Sequence, residues 1–279
     1  MENLIVSFRG RQADRHMLPA YDAAQSIYGI SRSLLIVTNY LSEGRVRRKN
    51  FDSVKRGYQI NLVAQQPGSF EFLFQIVADP AVHAIGHAVA AKVAGDFTVA
   101  FIKSVFRMCV GKSADKEIEA LEENGTLKSG DLGALVEAIE PAMRAAHTSI
   151  NRGATTIVLV QGDNNIVNLD ARTKAYVYDS VESGEIQQKL FSIASFNANG
   201  FSGRAYDYEE GRTIPFDLAK NADRATIAAM MRSMSTYAMR NLNQNMNSAI
   251  ALEYTETEAL DGRVKKMHVI KARAEIADL

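Results

Sequence analysis

The sequence predicts an α+β fold in two parts: an N-terminal mixed domain over residues 1–180, with long helices and a β-hairpin, and a C-terminal five-stranded small β-barrel of OB-like type over residues 181–279. Three observations predict it. Segments near the start repeat apolar side chains at steps of three and four, the period of a helix with one buried face. Two runs flanking Pro67-Gly68 alternate apolar and polar side chains, the period of a strand. Beyond Gly184 the order is three strands, a helix and two strands, which is the order of an OB-type barrel whose helix plugs one end.

A chain of 279 residues has room for two ordinary domains. With 47% hydrophobic and 23% charged residues it can bury a sizeable core without disulfide or metal staples. Lys plus Arg equals Asp plus Glu, 32 against 32, so no whole-molecule field draws the protein to nucleic acid or an anionic bilayer. Any polyanion contact has to come from a local patch. The single cysteine, Cys109, excludes an internal disulfide and fits a reducing compartment. The first residues lack the basic start and apolar stretch of a secretory signal, so the expected location is the cytoplasm.

Leu4 to Phe8 reads as a first strand closed by Arg9-Gly10. A helix follows from Leu18 through Tyr40, with Ala23, Ile27, Ile30 and Leu34 on its buried face and Gly44 as its left-handed stop. Tyr58 to Val63 and Phe70 to Val77 form the hairpin. Asp79-Pro80 opens a second helix, aspartate as N-cap and proline at the first helical position. From Ala81 to Val110 that segment is apolar or small, except that Lys92, Asp96, Lys103 and Arg107 share one narrow sector. Four charges inside hydrocarbon would cost several kcal/mol each, which rejects a simple membrane span. Gly86, Ala90, Ala94 and Gly95 on this helix would let copies of the chain approach closely, the expected route to self-association.

Lys112 to Glu123 reads as a charged helix, Gly125 to Gly130 as a turn, and Asp131 to Ile150 as a helix with a kink at Pro141. Thr155 to Val160 and Ile166 to Leu169 are two β-rich runs placed at the end of the first domain or in a connector. The barrel strands are expected at 186–196, 201–208, 211–216, 248–255 and 263–272, with a helix from Asp223 to Met239 carrying Ile227, Met230 and Met234 on one side.

Contiguous chemistry is scarce. Gly111-Lys112-Ser113 lacks the earlier glycine of a phosphate loop and follows a helix where a strand is needed. His83 and His87 lie four apart on one helical face, but no third metal ligand accompanies them. His16, His147 and His268 stand without a serine, cysteine or carboxylate neighbourhood in sequence. Asp163, Asp170 and Asp207 are dispersed in turn contexts. No catalytic, metal or cofactor motif is therefore expected.

Two basic groupings remain. Arg45, Arg47, Arg48, Lys49, Lys55 and Arg56 concentrate positive charge just before the hairpin, with only Asp52 opposing. On the barrel, Arg204, Tyr206, Tyr208 and Arg212 with Lys265, Lys266, Lys271 and Arg273 interleave aromatic rings and cations, which suits base stacking and phosphate contact. Glu209, Glu210, Glu253, Glu256 and Glu258 surround them.

The helix through Ser26-Ile27-Tyr28-Gly29-Ile30-Ser31-Arg32-Ser33-Leu34, the hairpin through Pro67-Gly68-Ser69-Phe70-Glu71, the Ala/Gly-rich helix and the late barrel around Gly211-Arg212-Thr213-Ile214-Pro215-Phe216 form one succession. It resembles the uncharacterised two-part proteins encoded in bacterial defence islands and mobile elements. The resemblance implies a bacterial origin and a non-enzymatic sensing, scaffolding or effector part in anti-phage immunity. The expected function is then a binding or assembly protein, a homo-oligomer or a partner-protein complex, with a barrel that takes a ligand or nucleic acid. Two alternatives stand beside it: a membrane-active effector using the 81–110 helix, and an enzyme whose site is assembled from distant residues.

Overall fold

A computed structural model describes residues 2–48, 58–63, 70–78, 97–128, 130–198, 200–239, 247–260 and 262–278. The chain divides into two compact units, Met1–Tyr178 and Asp179–Leu279. Both belong to one α+β chain with ten strands and six α-helices among the described residues.

In the first unit, β1 (Glu2–Arg9), β2 (Tyr58–Val63), β3 (Glu71–Ala78), β4 (Thr156–Gln161) and β5 (Asn164–Leu169) form one antiparallel sheet in the order β2-β3-β1-β4-β5. Alternation sets its buried face. Leu4, Val6 and Phe8 of β1 point into the core with Phe74 and Ile76 of β3 and with Ile157 and Leu159 of β4. Helices α1 (Ala20–Glu43), α2 (Phe97–Cys109) and α4 (Asp131–Ala146) contribute Ile30, Leu34, Phe101, Val105, Leu135 and Ile139 to the same core. Two short helices, α3 (Lys116–Glu123) and α5 (Ala171–Tyr178), complete the unit.

Helix α1 ends where its sequence said it would: Gly44 sits at φ 64°, and its N–H donates to the Tyr40 carbonyl. Helix α4 runs through Pro141 without ending there. The 155–169 pair, expected at the end of the first domain or in a connector, lies near the end of the first unit and is built into its sheet. Strand β4 lies beside β1 with Val6 opposite Leu159, because its apolar residues alternate in phase with those of β1. The Pro67-Gly68 turn, the Asp79-Pro80 helix start, and Lys92, Asp96, Gly86, Ala90, Ala94 and Gly95 lie outside the described residues. Of the charged sector on the apolar helix, Lys103 and Arg107 are described, and both reach Asp115, at 3.2 and 3.5 Å. Among the described residues, no helix is long and apolar enough to cross a membrane.

The second unit is a closed barrel of β6 (Val181–Asn197), β7 (Ser202–Asp207), β8 (Arg212–Leu218), β9 (Ala249–Glu258) and β10 (Val264–Arg273), in the order β10-β8-β7-β6-β9. Every pairing is antiparallel except β8 with β10, which is parallel. Helix α6 (Arg224–Ala238) joins β8 to β9, and this connectivity is that of an OB-like barrel. Asp223 caps the helix by accepting from the Thr226 N–H at 2.7 Å. Met230 is fully buried among the barrel's apolar side chains. Ser233 pins the helix to the wall, donating to the Ser248 carbonyl at 2.6 Å and accepting from the Ile193 N–H at 2.9 Å.

Two close approaches in the first unit generate measurable expectations. A Cβ on Gly29 would stand 2.3 Å from the Ala146 backbone nitrogen and 2.4 Å from the Ala142 oxygen, so α1 and α4 cross with no room for a methyl. Gly29→Ala is expected to destabilise the unit by about 3 kcal/mol in chemical denaturation, because backbone cannot swing aside as a side chain can. His147 is fully buried. Its Nδ1 donates to the Met143 carbonyl at 2.7 Å, which leaves Nε2 to accept from the Thr173 hydroxyl at 3.0 Å. Burial drives its pKa from 6.5 down to about 4; nearby Lys174 lowers it further, while the Met143 bond and Asp170 oppose. The unfolded chain therefore takes up this proton as pH falls through 6.5, whereas the folded chain resists until about 4. Stability from this group is complete above pH 6.5 and is lost across that window, by about 3 kcal/mol in all. Denaturation profiles at several pH values should show this slope in the wild type and its loss in His147→Gln.

Candidate functional site

The outer wall of the barrel follows from the same alternation that fills its interior. On β8 the side chains at 212, 214, 216 and 218 are buried, and those at 213, 215 and 217 face outward. On β7 Ala205 and Asp207 are buried while Ser202, Arg204 and Tyr206 are partly exposed. Register then assembles a row across four strands. Ser202 pairs with Asp217, Asp217 with His268, and His268 with Thr255.

Asp217 is the centre of this row. One carboxylate oxygen accepts from Lys266 Nζ at 2.5 Å, and the other faces His268 Nδ1 at 2.5 Å. With Nδ1 donating to a carboxylate, Nε2 becomes the acceptor for the Thr257 hydroxyl at 2.8 Å. Partial burial raises the Asp217 pKa, but the hydrogen bonds from Lys266 and His268 outweigh it and hold the carboxyl below its usual value. His268 had been expected to stand alone. The fold corrects this by bringing it a carboxylate from β8 and a hydroxyl from β9.

Beside the row lies a groove of about 440 Å³, walled by Ser195, Asn197, Arg204, Pro215 and Lys266. A stacked pair, Phe196 and Phe216, with ring centroids 6.3 Å apart and planes 13° apart, contributes to its lining. The pairing of β6 with β7 shifts register between Ile193 and Ser195, a bulge that reaims the strand at the groove. Gly203 makes the hollow feasible: a Cβ there would lie 2.1 Å from the Ser195 oxygen. Arg204 is laid along β8, its Nε donating to Thr213 Oγ1 at 2.9 Å and a terminal nitrogen to the Thr213 carbonyl.

Of the barrel residues singled out by sequence, Arg204 and Lys266 come together on this groove. The others go elsewhere. Arg212 is a correction: its side chain is only 3% exposed, ion-paired to Glu210 at 2.6 Å and donating to the Val264 carbonyl at 3.2 Å, so it serves the barrel wall rather than a ligand. Lys265 donates to the Asp179 carbonyl, Lys271 pairs with Glu253 at 3.6 Å, and Arg273 holds the Asp223 carboxylate at 2.6 Å. Tyr206 and Tyr208 meet edge to face at 5.4 Å, and Tyr206 also lies 6.0 Å from Tyr237 with the rings tilted by 32°. Tyr208 contacts the Ser192 hydroxyl and lines a second hollow of about 600 Å³ with Lys189, Leu190 and Glu209. The charge there is acidic. Lys189 is clamped between Asp207 at 2.9 Å and Glu209 at 2.6 Å. Burial and the nearby Glu258 and Glu210 push the Glu256 carboxyl above its usual range.

The basic run of the first unit is partly described. Arg45 and Arg47 both pair with Glu43, at 3.0 and 2.5 Å, and Arg48 pairs with Glu137 at 2.9 Å, so these cations already have carboxylate partners. Lys49, Lys55 and Arg56 lie outside the described residues, as do His83 and His87. Among the described residues, no three potential metal ligands cluster.

Sequence reasoning missed Asp217, His268 and Thr257. Strand parity was the available signal, since Ile214 and Phe216 facing inward force Asp217 outward.

Comparison with known proteins adds family membership. Residues 4–178 match the family model described as Domain of unknown function (DUF7946), and residues 185–273 match Family of unknown function (DUF7947). Each match stays within one of the two compact units. No curated protein matches the chain, and no solved structure does. By the match that spans most of its length, the chain belongs to the family described as Domain of unknown function (DUF7946).

Proposed function

We propose that this protein is a binding module whose barrel takes single-stranded nucleic acid along the outer face of β7, β8 and β10. The observation that carries this reading is the groove itself. Arg204 and Lys266 flank it, His268 stands two residues further along β10, and the hollow opens on the strand-two and strand-three face that OB-type barrels offer to oligonucleotides. An overall neutral protein needs such a local cationic track to hold phosphates. The accessory or sensing part in anti-phage defence implied by the resemblance would employ such a module to recognise exposed strands.

One observation favours an enzyme instead. Thr257, His268 and Asp217 stand in the order of nucleophile, base and orienting carboxylate. Their openness argues against turnover. The His268 and Asp217 side chains are 36% and 35% exposed, so an oxyanion forming nearby would sit in water, where fixed dipoles stabilise it little. The row is better suited to setting charge on the groove: Asp217 neutralises Lys266 and orients His268 until a phosphate competes for the lysine.

Fluorescence anisotropy of a labelled single-stranded oligonucleotide of about 12 nucleotides tests the reading. The full chain is expected to bind at low salt, and Arg204→Ala with Lys266→Ala to weaken binding about tenfold while flattening the salt slope by about 1.4. Asp217→Asn should tighten binding, because it removes the carboxylate that opposes phosphate. No binding by the wild type at low ionic strength would remove the nucleic-acid reading.

A further inference from the structure

One residue beside the groove departs from ordinary backbone geometry. Phe201, in the short connection from β6 to β7, has φ of 45°, in the left-handed region that a bulky aromatic side chain rarely enters. Among the described residues three other non-glycine residues share that region, Arg11, His16 and Asn151, and none carries a large apolar ring in the open. Phe201 is 48% exposed, so burial does not compensate for the conformation.

The surrounding hydrogen bonds hold it there. The Leu218 N–H donates to the Phe201 carbonyl at 2.8 Å, tying the connection to the end of β8. On the other side the Gly200 N–H donates to Asn197 Oδ1 at 3.4 Å. The next residue, Ser202, lines the groove and pairs with Asp217. Phe201 therefore carries an exposed ring on the residue just before groove-lining Ser202, its backbone tied to the end of β8 in a conformation that glycine would adopt without strain.

From this we infer that Phe201 is a stacking platform for one base of a bound single strand, the contact that makes the groove select unpaired nucleic acid over duplex. The inference rests on the nucleic-acid reading above. Phosphates would meet Arg204 and Lys266, while the ring takes the face of an unstacked base, which a duplex keeps covered. Aromatic platforms of this kind tolerate sequence, so selection is by strandedness.

The backbone makes the test clean. Phe201→Gly relieves the left-handed strain, so the variant should melt at or above the wild-type temperature while its single-strand affinity falls about tenfold. Phe201→Leu keeps apolar bulk without a π face and should lose affinity similarly. The protein has no tryptophan. Phe201→Trp therefore installs a sole reporter whose emission should be quenched by single-stranded oligonucleotide and left unchanged by inorganic polyphosphate. Wild-type affinity in the glycine or leucine variant, equal affinity for duplex and single strand, or no quenching despite binding would overturn the platform and leave the groove reading standing. If the unsubstituted chain bound no oligonucleotide at all, the groove reading and the platform would fall together.

Discussion

The short parallel ladder between β8 and β10 is the constraint on which the rest of the barrel depends. Three residue pairs form it: Phe216 with Met267, Asp217 with His268, and Leu218 with Val269. Parallel neighbours cannot be joined by a tight turn, so the chain must leave β8, cross the barrel end as α6 and pass through β9 before it returns as β10. The outer two pairs bury four apolar side chains and close the core. The middle pair faces out and sets a carboxylate beside an imidazole. Closure and the candidate site are thus the same event seen from opposite sides of one wall.

That coupling explains why the polar cluster is held on an open surface. Exposed ion pairs are worth little by themselves, because water screens them and side-chain entropy opposes them. Here the backbone register fixes Asp217 opposite His268, so little additional ordering is needed for Lys266 and Thr257 to join. The carboxylate keeps Lys266 neutralised and His268 oriented. In the proposed function a polyanion would exchange for Asp217 without a change in fold.

Legibility in the sequence followed the range of the physics involved. The helix ending at Gly44 and the five barrel strands are local patterns of period and capping, and they read directly. Helix α5 did not, since the eight residues Ala171–Tyr178 carry too little amphipathic signal. The placement of β4 beside β1 depends on pairing across about 150 residues of chain, which no local window contains. Arg212 was misjudged as a surface cation by its residue type, although its parity with Ile214 and Phe216 puts it inside. His268 looked isolated because its carboxylate partner lies 51 positions away and reaches it only through the parallel ladder. The site was legible residue by residue in part, and as an arrangement only through topology.

Photochemical crosslinking of the full chain to a single-stranded oligonucleotide, read by peptide mass spectrometry, tests the central claim most directly. Crosslinks are expected on the β6–β7 connection and the outward positions of β7, β8 and β10, diminished when Arg204 and Lys266 are both replaced by alanine. Crosslinks confined to the Arg45–Arg48 segment, or scattered with no preference for the barrel face, would contradict it.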